Sequence, residues 1–396
     1  MSLPKAKFEL EFAHGSTYGE EENAAVLEVM KASAPSCGAR VQQFEHEFAG
    51  YCGTDYGLAV SSATAGLHLA LIAAGVQPGD EVITTPISWI STANAAAMQG
   101  AKVVFADVNP HTLNLDPESV ARRITDRTKV ILPVHLYGQS CDMDALNSLA
   151  RPRGIAVVED AAHAAGAEYK GRKSGSLGDL AVFSFHQQKN MVTLGEGGLI
   201  TTRNKTYFES MLSHRSLCCR TYDPKGKYLP IDETVQPMGK RYWQLEFDEI
   251  GFNYRMTEIQ AAVGLVQLRK LDSLNARRIE IAKAYTEGLE GIRGLCLPRV
   301  PSHIKHVFHV YLILLQPEFR LRKEDFMWDL YTRKQIKVWS HYMPIHLTNV
   351  YRRMGHKEGE CPIAEAAFEQ YVSIPIHPRM SEESIQYVID SIRELA

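Results

Sequence analysis

The segment Leu180-Ala181-Val182-Phe183-Ser184-Phe185 runs into His186-Gln187-Gln188-Lys189, and a second run follows as Gly195-Glu196-Gly197-Gly198-Leu199-Ile200-Thr201-Thr202. Two apolar stretches of strand length thus flank a short polar connection that carries one lysine and closes on glycines. A buried strand ending near Phe185 delivers Lys189 to a sheet edge, among small residues that let another molecule approach its amine. A lysine so placed has the chemistry of a Schiff-base nucleophile. A solvated surface lysine is the commoner use of the residue type, so the choice rests on the rest of the chain.

Working upstream, Gly154 to Val158 is another apolar run, and it ends on Glu159-Asp160 before Ala161-Ala162-His163. A short strand ending in Asp places a carboxylate at the carboxyl edge of a parallel sheet, where open α/β folds bind ligands. The competing reading is an Asp that only caps the next helix. Earlier still, Val60-Ser61-Ser62-Ala63-Thr64-Ala65-Gly66 precedes Leu67, Ala70, Leu71 and Ala74 at helical spacing. Ser62, Ala63 and Thr64 then lie at a helix start, where free backbone amides and the dipole favour phosphate. Plain serine capping fits the same residues.

Strand candidates alternate with helical patterns along this half: Leu58 to Val60, Glu81 to Thr84, Val103 to Asp107, Val130 to Val134, Ile155 to Val158 and Leu180 to Phe185. Ser91 to Gln99 and Asp142 to Ala150 read as helices. The alternation predicts an α/β fold with a mainly parallel sheet and helices on both faces. The pattern breaks between Leu217 and Phe247, where turn-forming residues cluster. Met256 to Glu290 reads as one long helix, followed by a strand at His309 to Leu314 and a final helix with Ile385, Val388, Ile389 and Ile392 on one face. We read residues 1–25 as an N-terminal arm, 26–255 as a large α/β domain, and 256–396 as a connecting helix with a small C-terminal α+β domain.

The bulk properties exclude several classes. Basic residues number 43 and acidic 46, a net charge of −3, which gives no footprint for nucleic acid or an anionic membrane. Hydrophobic residues make up 45% and charged residues 22%, an ordinary globular balance. Seven cysteines, two of them the vicinal Cys218 and Cys219, do not form a closed disulfide framework and suit a reducing cytoplasm. The N-terminus lacks the apolar core of a signal peptide.

The ordered set of Ser-Ser-Ala-Thr-Ala at 61–65, Ser-Trp-Ile-Ser-Thr-Ala-Asn around Trp89, Glu-Asp-Ala-Ala-His at 159–163, Ser-Phe-His-x-x-Lys at 184–189, Gly-Glu-Gly-Gly at 195–198 and Gly-Phe-Asn-Tyr-Arg-Met at 251–256 resembles the DegT/DnrJ/EryC1/StrS aminotransferases. These are sugar aminotransferases of fold type I that depend on pyridoxal 5′-phosphate (PLP), with a seven-stranded sheet. The likeness runs from about Gly38 to the C-terminus and includes His135-Leu136-Tyr137-Gly138-Gln139 and His341-Tyr342-x-Pro344-x-His346.

By this resemblance Lys189 carries the cofactor and shuttles protons, and Asp160 keeps the pyridine nitrogen protonated. Trp89 stacks on the cofactor face, and His163 contacts its phenolic oxygen. Ser62, Ala63, Thr64 and Ser184 hold the phosphate, and Asn253 reaches it from a second subunit of a homodimer. Ala63 replaces a common glycine, which is harmless unless the position needs positive φ. Related dehydratases carry histidine at the lysine position, so transamination is the expected chemistry. His186, His341, Tyr342 and His346 are expected on the substrate side, and their spacing matches no common metal site. The implied reaction moves an amino group from an amino acid, L-glutamate or L-glutamine, to a small-molecule acceptor in deoxyamino-sugar and polysaccharide biosynthesis. The acceptor is a nucleotide-linked 4-keto-6-deoxyhexose or 3-keto sugar. A keto-inositol acceptor is the alternative substrate, and a non-catalytic PLP- or sugar-binding regulator the alternative of another class.

Overall fold

The computed structural model describes residues 15–31, 36–221 and 245–396. Its centre is a seven-stranded sheet: β1 (Tyr56–Val60), β2 (Glu81–Thr84), β3 (Lys102–Phe105), β4 (Thr128–Leu132), β5 (Ala156–Asp160), β6 (Leu180–Ser184) and β7 (Gly198–Thr202). The spatial order is β1-β7-β6-β5-β4-β2-β3. From β6 to β3 every neighbouring pair is parallel, and β7 alone runs antiparallel to its neighbours β6 and β1. The expected α/β fold with a mainly parallel sheet is what forms.

Both faces of the sheet are buried, which is why its strands read as nearly continuous apolar runs. Side chains alternate: Leu58, Val60, Val182 and Ile200 enter one core, while Ala59, Ala181, Phe183 and Leu199 enter another across the sheet. Helix α1 spans Glu20–Met30, α2 Ala39–Cys52 and α3 Ala63–Ala73. On the first face α3 lies so close that a Cβ on Gly66 would fall 2.7 Å from Val182 Cγ1. On the second, Phe48 of α2 meets Phe183 edge-on at 4.9 Å between ring centroids. Helix α1 runs across the residue-25 boundary read from the sequence, and its Glu22 accepts from Gln267 and Lys270 of the long helix.

Helices α4 (Ser91–Met98), α5 (Pro117–Arg123), α6 (Met143–Ala150) and α7 (Lys205–Arg215) complete the flanking layers. Helix α8, Glu258–Leu289, runs for 32 residues from the N-cap Thr257, whose hydroxyl takes the Gln260 amide. At 1.5 Å per residue it is about 48 Å long. Ala261, Leu265 and Leu271 pack on the large sheet, whereas Ile281, Ala282, Tyr285 and Leu289 enter a second core. That core lies under an antiparallel sheet of β8 (Leu295–Cys296), β9 (Tyr311–Leu315) and β10 (Tyr371–Ile374). The C-terminal helix Glu382–Leu395 buries Ile385, Val388, Ile389 and Ile392, the face its spacing predicts. Of the break at 217–247, residues 222–244 lie outside the described residues. Its ends, Cys219–Thr221 and Leu245–Phe247, pair as antiparallel strands.

One buried acid fixes the end of β5. Glu159 is fully buried and accepts from the amides of Gly175, Leu177 and Gly178 at 2.7–2.9 Å. His135 Nδ1 accepts from the Cys141 amide at 3.2 Å, so its Nε2 donates to Glu159 at 2.8 Å. Burial pushes the Glu159 carboxyl up, but His135 and the backbone donors outweigh it and hold its pKa below the ordinary 4.5. A depressed carboxylate stabilises the fold above its ordinary pKa, and this contribution fades as pH falls through the lowered value. Glu159→Ala orphans these donors and is expected to cost about 3–5 kcal/mol in urea unfolding. The wild type should also lose part of its margin below pH 4.5 that the variant no longer has to lose.

Candidate active site

The carboxyl ends of β1, β5 and β6 converge on one edge of the sheet. Glu159 and Asp160 are adjacent on a strand and therefore point to opposite faces. With Glu159 satisfied on one side, Asp160 is presented on the other, 3% exposed. Its Oδ2 accepts from Thr92 Oγ1 at 2.7 Å and its Oδ1 from the Ala162 amide at 3.1 Å. Burial raises its pKa, while those two bonds and the nearby Lys189 oppose the rise. An anion so held gains from a cation placed beside it.

Lys189 follows β6 on a turn closed by its own amide donating to the His186 carbonyl at 2.8 Å. The residue keeps some exposed surface, yet its amine is crowded by protein. Desolvation lowers the pKa to about 8, against the upward pull of Asp160. Its Nζ lies 3.5 Å from His309 Nε2. His309 stacks on His163 with centroids 4.4 Å apart and planes at 29°. The Tyr342 hydroxyl is 3.3 Å from His163 Nε2, and the ring of Trp89 meets Tyr342 edge-on at 6.2 Å. Burial first, and then the ammonium of Lys189, push the pKa of His163, His309 and His341 down, the last to about 4. The imidazoles around the amine are accordingly neutral at pH 7. Burial and then Asp160 push the Tyr342 phenol up, so it stays protonated.

At the other end of the cleft, Gly198 is paired with Val60 on one side and Ser184 on the other. A Cβ on Gly198 would fall 2.7 Å from the Ala63 nitrogen, so only glycine lets the α3 start sit against the sheet there. Ser62 is the N-cap of α3 and accepts from the Ala65 amide at 3.2 Å. The Gly66 amide goes to the Ser62 carbonyl, which leaves those of Ala63 and Thr64 to face a ligand. Ala63 is the first helical residue, so its methyl meets no positive-φ requirement. Thr64 Oγ1 donates to Ser91 Oγ at 2.9 Å.

Of the other candidates, Trp89 is 62% exposed, which leaves a ring face open. Asn253 is exposed and bridged to Ser216, next to Tyr254, whose carbonyl accepts from the Ser61 amide. His186 is half-buried 3.9 Å from Glu196, with its pKa lowered by burial. His346 departs from the expectation of a substrate contact. Its imidazole is fully buried and bonded to Glu365 at 2.8 Å, beside Phe105, and it has no surface to offer a ligand.

Two residues at the site went unread in the sequence. Thr92 follows the quoted Trp89, and its place in the first turn of a helix was the available signal. His309 carried no signal beyond its position ahead of an apolar strand. It is fixed by Arg278 of α8, which donates to the carbonyls of Phe308, Ile376 and Gly15.

PLP presents three groups for recognition: a phosphate, a ring nitrogen that gains from a carboxylate, and an aldehyde carbon that takes an amine. The glycine-walled start of α3, the buried Asp160 and the desolvated Lys189 fit these in turn, and the fold is that of the type I PLP-dependent transferases. A sequence profile of the DegT/DnrJ/EryC1/StrS aminotransferase family matches residues 16–393. Spore coat polysaccharide biosynthesis protein SpsC of Bacillus subtilis (strain 168) is 37% identical over 384 residues, 95% of each chain. GDP-perosamine synthase of Caulobacter vibrioides is 38% identical over 376 residues, 94% of this chain and 95% of that one. The crystal structure of S. venezuelae DesV superposes with a TM-score of 0.84 at 34% identity over 94% of each chain. The chain belongs to the DegT/DnrJ/EryC1/StrS aminotransferase family and is a PLP-dependent aminotransferase. Among the described residues no helix is long and apolar enough to cross a membrane.

Two substitutions test the geometry. Thr92→Val removes a donor from Asp160, so the carboxyl pKa should rise further, moving the acid limb of the pH–rate profile upward and lowering kcat/KM about tenfold. Gly198→Ala should weaken retention of PLP, read by its absorbance after gel filtration, more than it changes the far-ultraviolet circular dichroism.

Proposed function

We propose that this enzyme moves an amino group from an amino acid, L-glutamate or L-glutamine, to a keto-sugar carried on a nucleotide, at C4 or C3 of a 4-keto-6-deoxyhexose or related sugar. The observation that carries the transamination half is the amine of Lys189, depressed to about 8 and set beside Asp160 and neutral imidazoles. The sugar half draws support from relatives named for polysaccharide biosynthesis and for GDP-perosamine.

When bound, PLP is an electron sink for the carbon that gives or receives nitrogen. Lys189, neutral in an appreciable fraction near pH 7, takes a proton from that carbon and returns it. Asp160 holds positive charge at the ring nitrogen, with Thr92 fixing the carboxylate plane. His163 and Tyr342, 3.3 Å apart, would hydrogen-bond the ring hydroxyl, and the exposed Trp89 would cover the ring face. Ser62, Ala63, Thr64 and Ser184 anchor the phosphate, joined in our reading by Asn253 of a second subunit, so that the working unit is a homodimer. His186 and His341 flank the acceptor side. All seven cysteines are free thiols, which supports a cytoplasmic setting.

The test is a visible spectrum of the PLP-loaded protein before and after L-glutamate, beside Lys189→Ala, followed by a screen of keto-sugars and a keto-inositol. A shift from the lysine-bound to the pyridoxamine absorbance, absent in the variant, is expected. A wild-type protein that binds PLP but shifts with no amino donor would sink the transamination reading, and turnover of the keto-inositol alone would replace the sugar one.

A further inference from the structure

A second cluster of chemistry-bearing side chains lies where the 219–247 segment leaves and rejoins the fold. His214 is in the last turn of α7, Cys218 stands just before the strand Cys219–Thr221, and Glu249 lies just past its partner Leu245–Phe247. One ligand atom from each, an imidazole nitrogen, the thiol sulfur and a carboxylate oxygen, lies within 4.8 Å of the other two. His214 Nδ1 is 2.8 Å from the Ser210 carbonyl, which accepts its proton. That bond fixes the ring and its tautomer and aims Nε2 at Glu249 Oε2, 3.1 Å away. A histidine–glutamate pair alone is an ordinary surface contact. The third donor, the buried sulfur of Cys218, exceeds what such a pair needs.

We infer that His214, Cys218 and Glu249 form a binding site for a divalent cation of the zinc class. One nitrogen, one sulfur and one oxygen make a borderline-soft set that suits Zn²⁺ at three corners of a tetrahedron. The fourth corner is left to water, and Glu249 is exposed, so the donor set is open to solvent on that side. On binding, the sulfur–hydrogen bond of Cys218 breaks, its proton passes to solvent and the sulfur–metal bond forms, with no change of oxidation state.

The placement gives the ion a structural role. It would clip together the chain on either side of the paired strands Cys219–Thr221 and Leu245–Phe247, where bringing distant parts of the chain together otherwise costs entropy. Ser216, between two of the ligands in sequence, bridges Asn253, so the clip would also steady the backbone that carries that asparagine. The assignment is independent of the transamination chemistry.

Chelator-treated protein, full length and loaded with PLP, is titrated with Co²⁺ as a spectroscopic stand-in and then with Zn²⁺ in competition. The expected result is a near-ultraviolet thiolate-to-cobalt charge-transfer band with tetrahedral visible bands. These should saturate at one ion per chain and be displaced by Zn²⁺. Cys218→Ser should abolish the charge-transfer band, and His214→Gln and Glu249→Gln should weaken binding by at least about tenfold. Cys219→Ser should leave the band intact, and circular dichroism checks that each variant is folded. A wild-type protein without the thiolate band, or a band that survives Cys218→Ser, would overturn the site.

Discussion

The structure turns on two neighbouring carboxylates that the pleat of one strand sends in opposite directions. Glu159 goes into the protein, where backbone amides and an imidazole use up its acceptor capacity. Asp160 goes to the cleft with two protein donors among the described residues. An ion buried with a full set of partners is rigid; one buried with a partial set binds whatever completes it. The internal partner thus holds still the strand end on which the external one is displayed. The charge balance of the cleft follows from this, since desolvation brings the Lys189 pKa down to about 8 while Asp160 pulls it upward.

The cleft is otherwise built of polar groups that carry no net charge at pH 7. His163, His309 and His341 are held neutral by burial and by the lysine, and Tyr342 stays protonated beside Asp160. An amine surrounded by imidazoles of depressed pKa does not lose its proton to a stronger neighbouring base. Arg278 contributes from outside the cleft. Buried and bonded to carbonyls of three segments, it joins the N-terminal stretch at Gly15 to the turn that presents His309.

Much of this was legible in the chain because it depends on local pattern. Strands buried on both faces announce themselves as apolar runs, and their carboxyl ends are where Asp160 and Ser184 stand. The α3 start was legible too: its serine is a cap, and a cap at Ser62 does not compete with the proposed phosphate role of the amides behind it. What sequence could not give depends on contacts distant along the chain. Thr92 is 68 positions from the carboxylate it bonds, and His309 is 120 from the lysine it meets. His346 matched a motif, yet its imidazole turned inward to Glu365, a choice made by packing beside Phe105. His214 and Glu249 meet only because two strands pair across the segment between them.

Helix α8 has a mechanical meaning beyond joining two sheets. Its first half is part of the packing beneath the large sheet, and its second half is part of the packing beneath the small one, with Arg278 near the middle. A linker would let the two cores melt separately. A continuous hydrogen-bonded rod cannot lose one half of its packing without exposing apolar surface in the middle of its own length. The two cores should therefore behave as one cooperative unit, with amides in the middle of α8 among the slowest in the molecule to exchange with solvent.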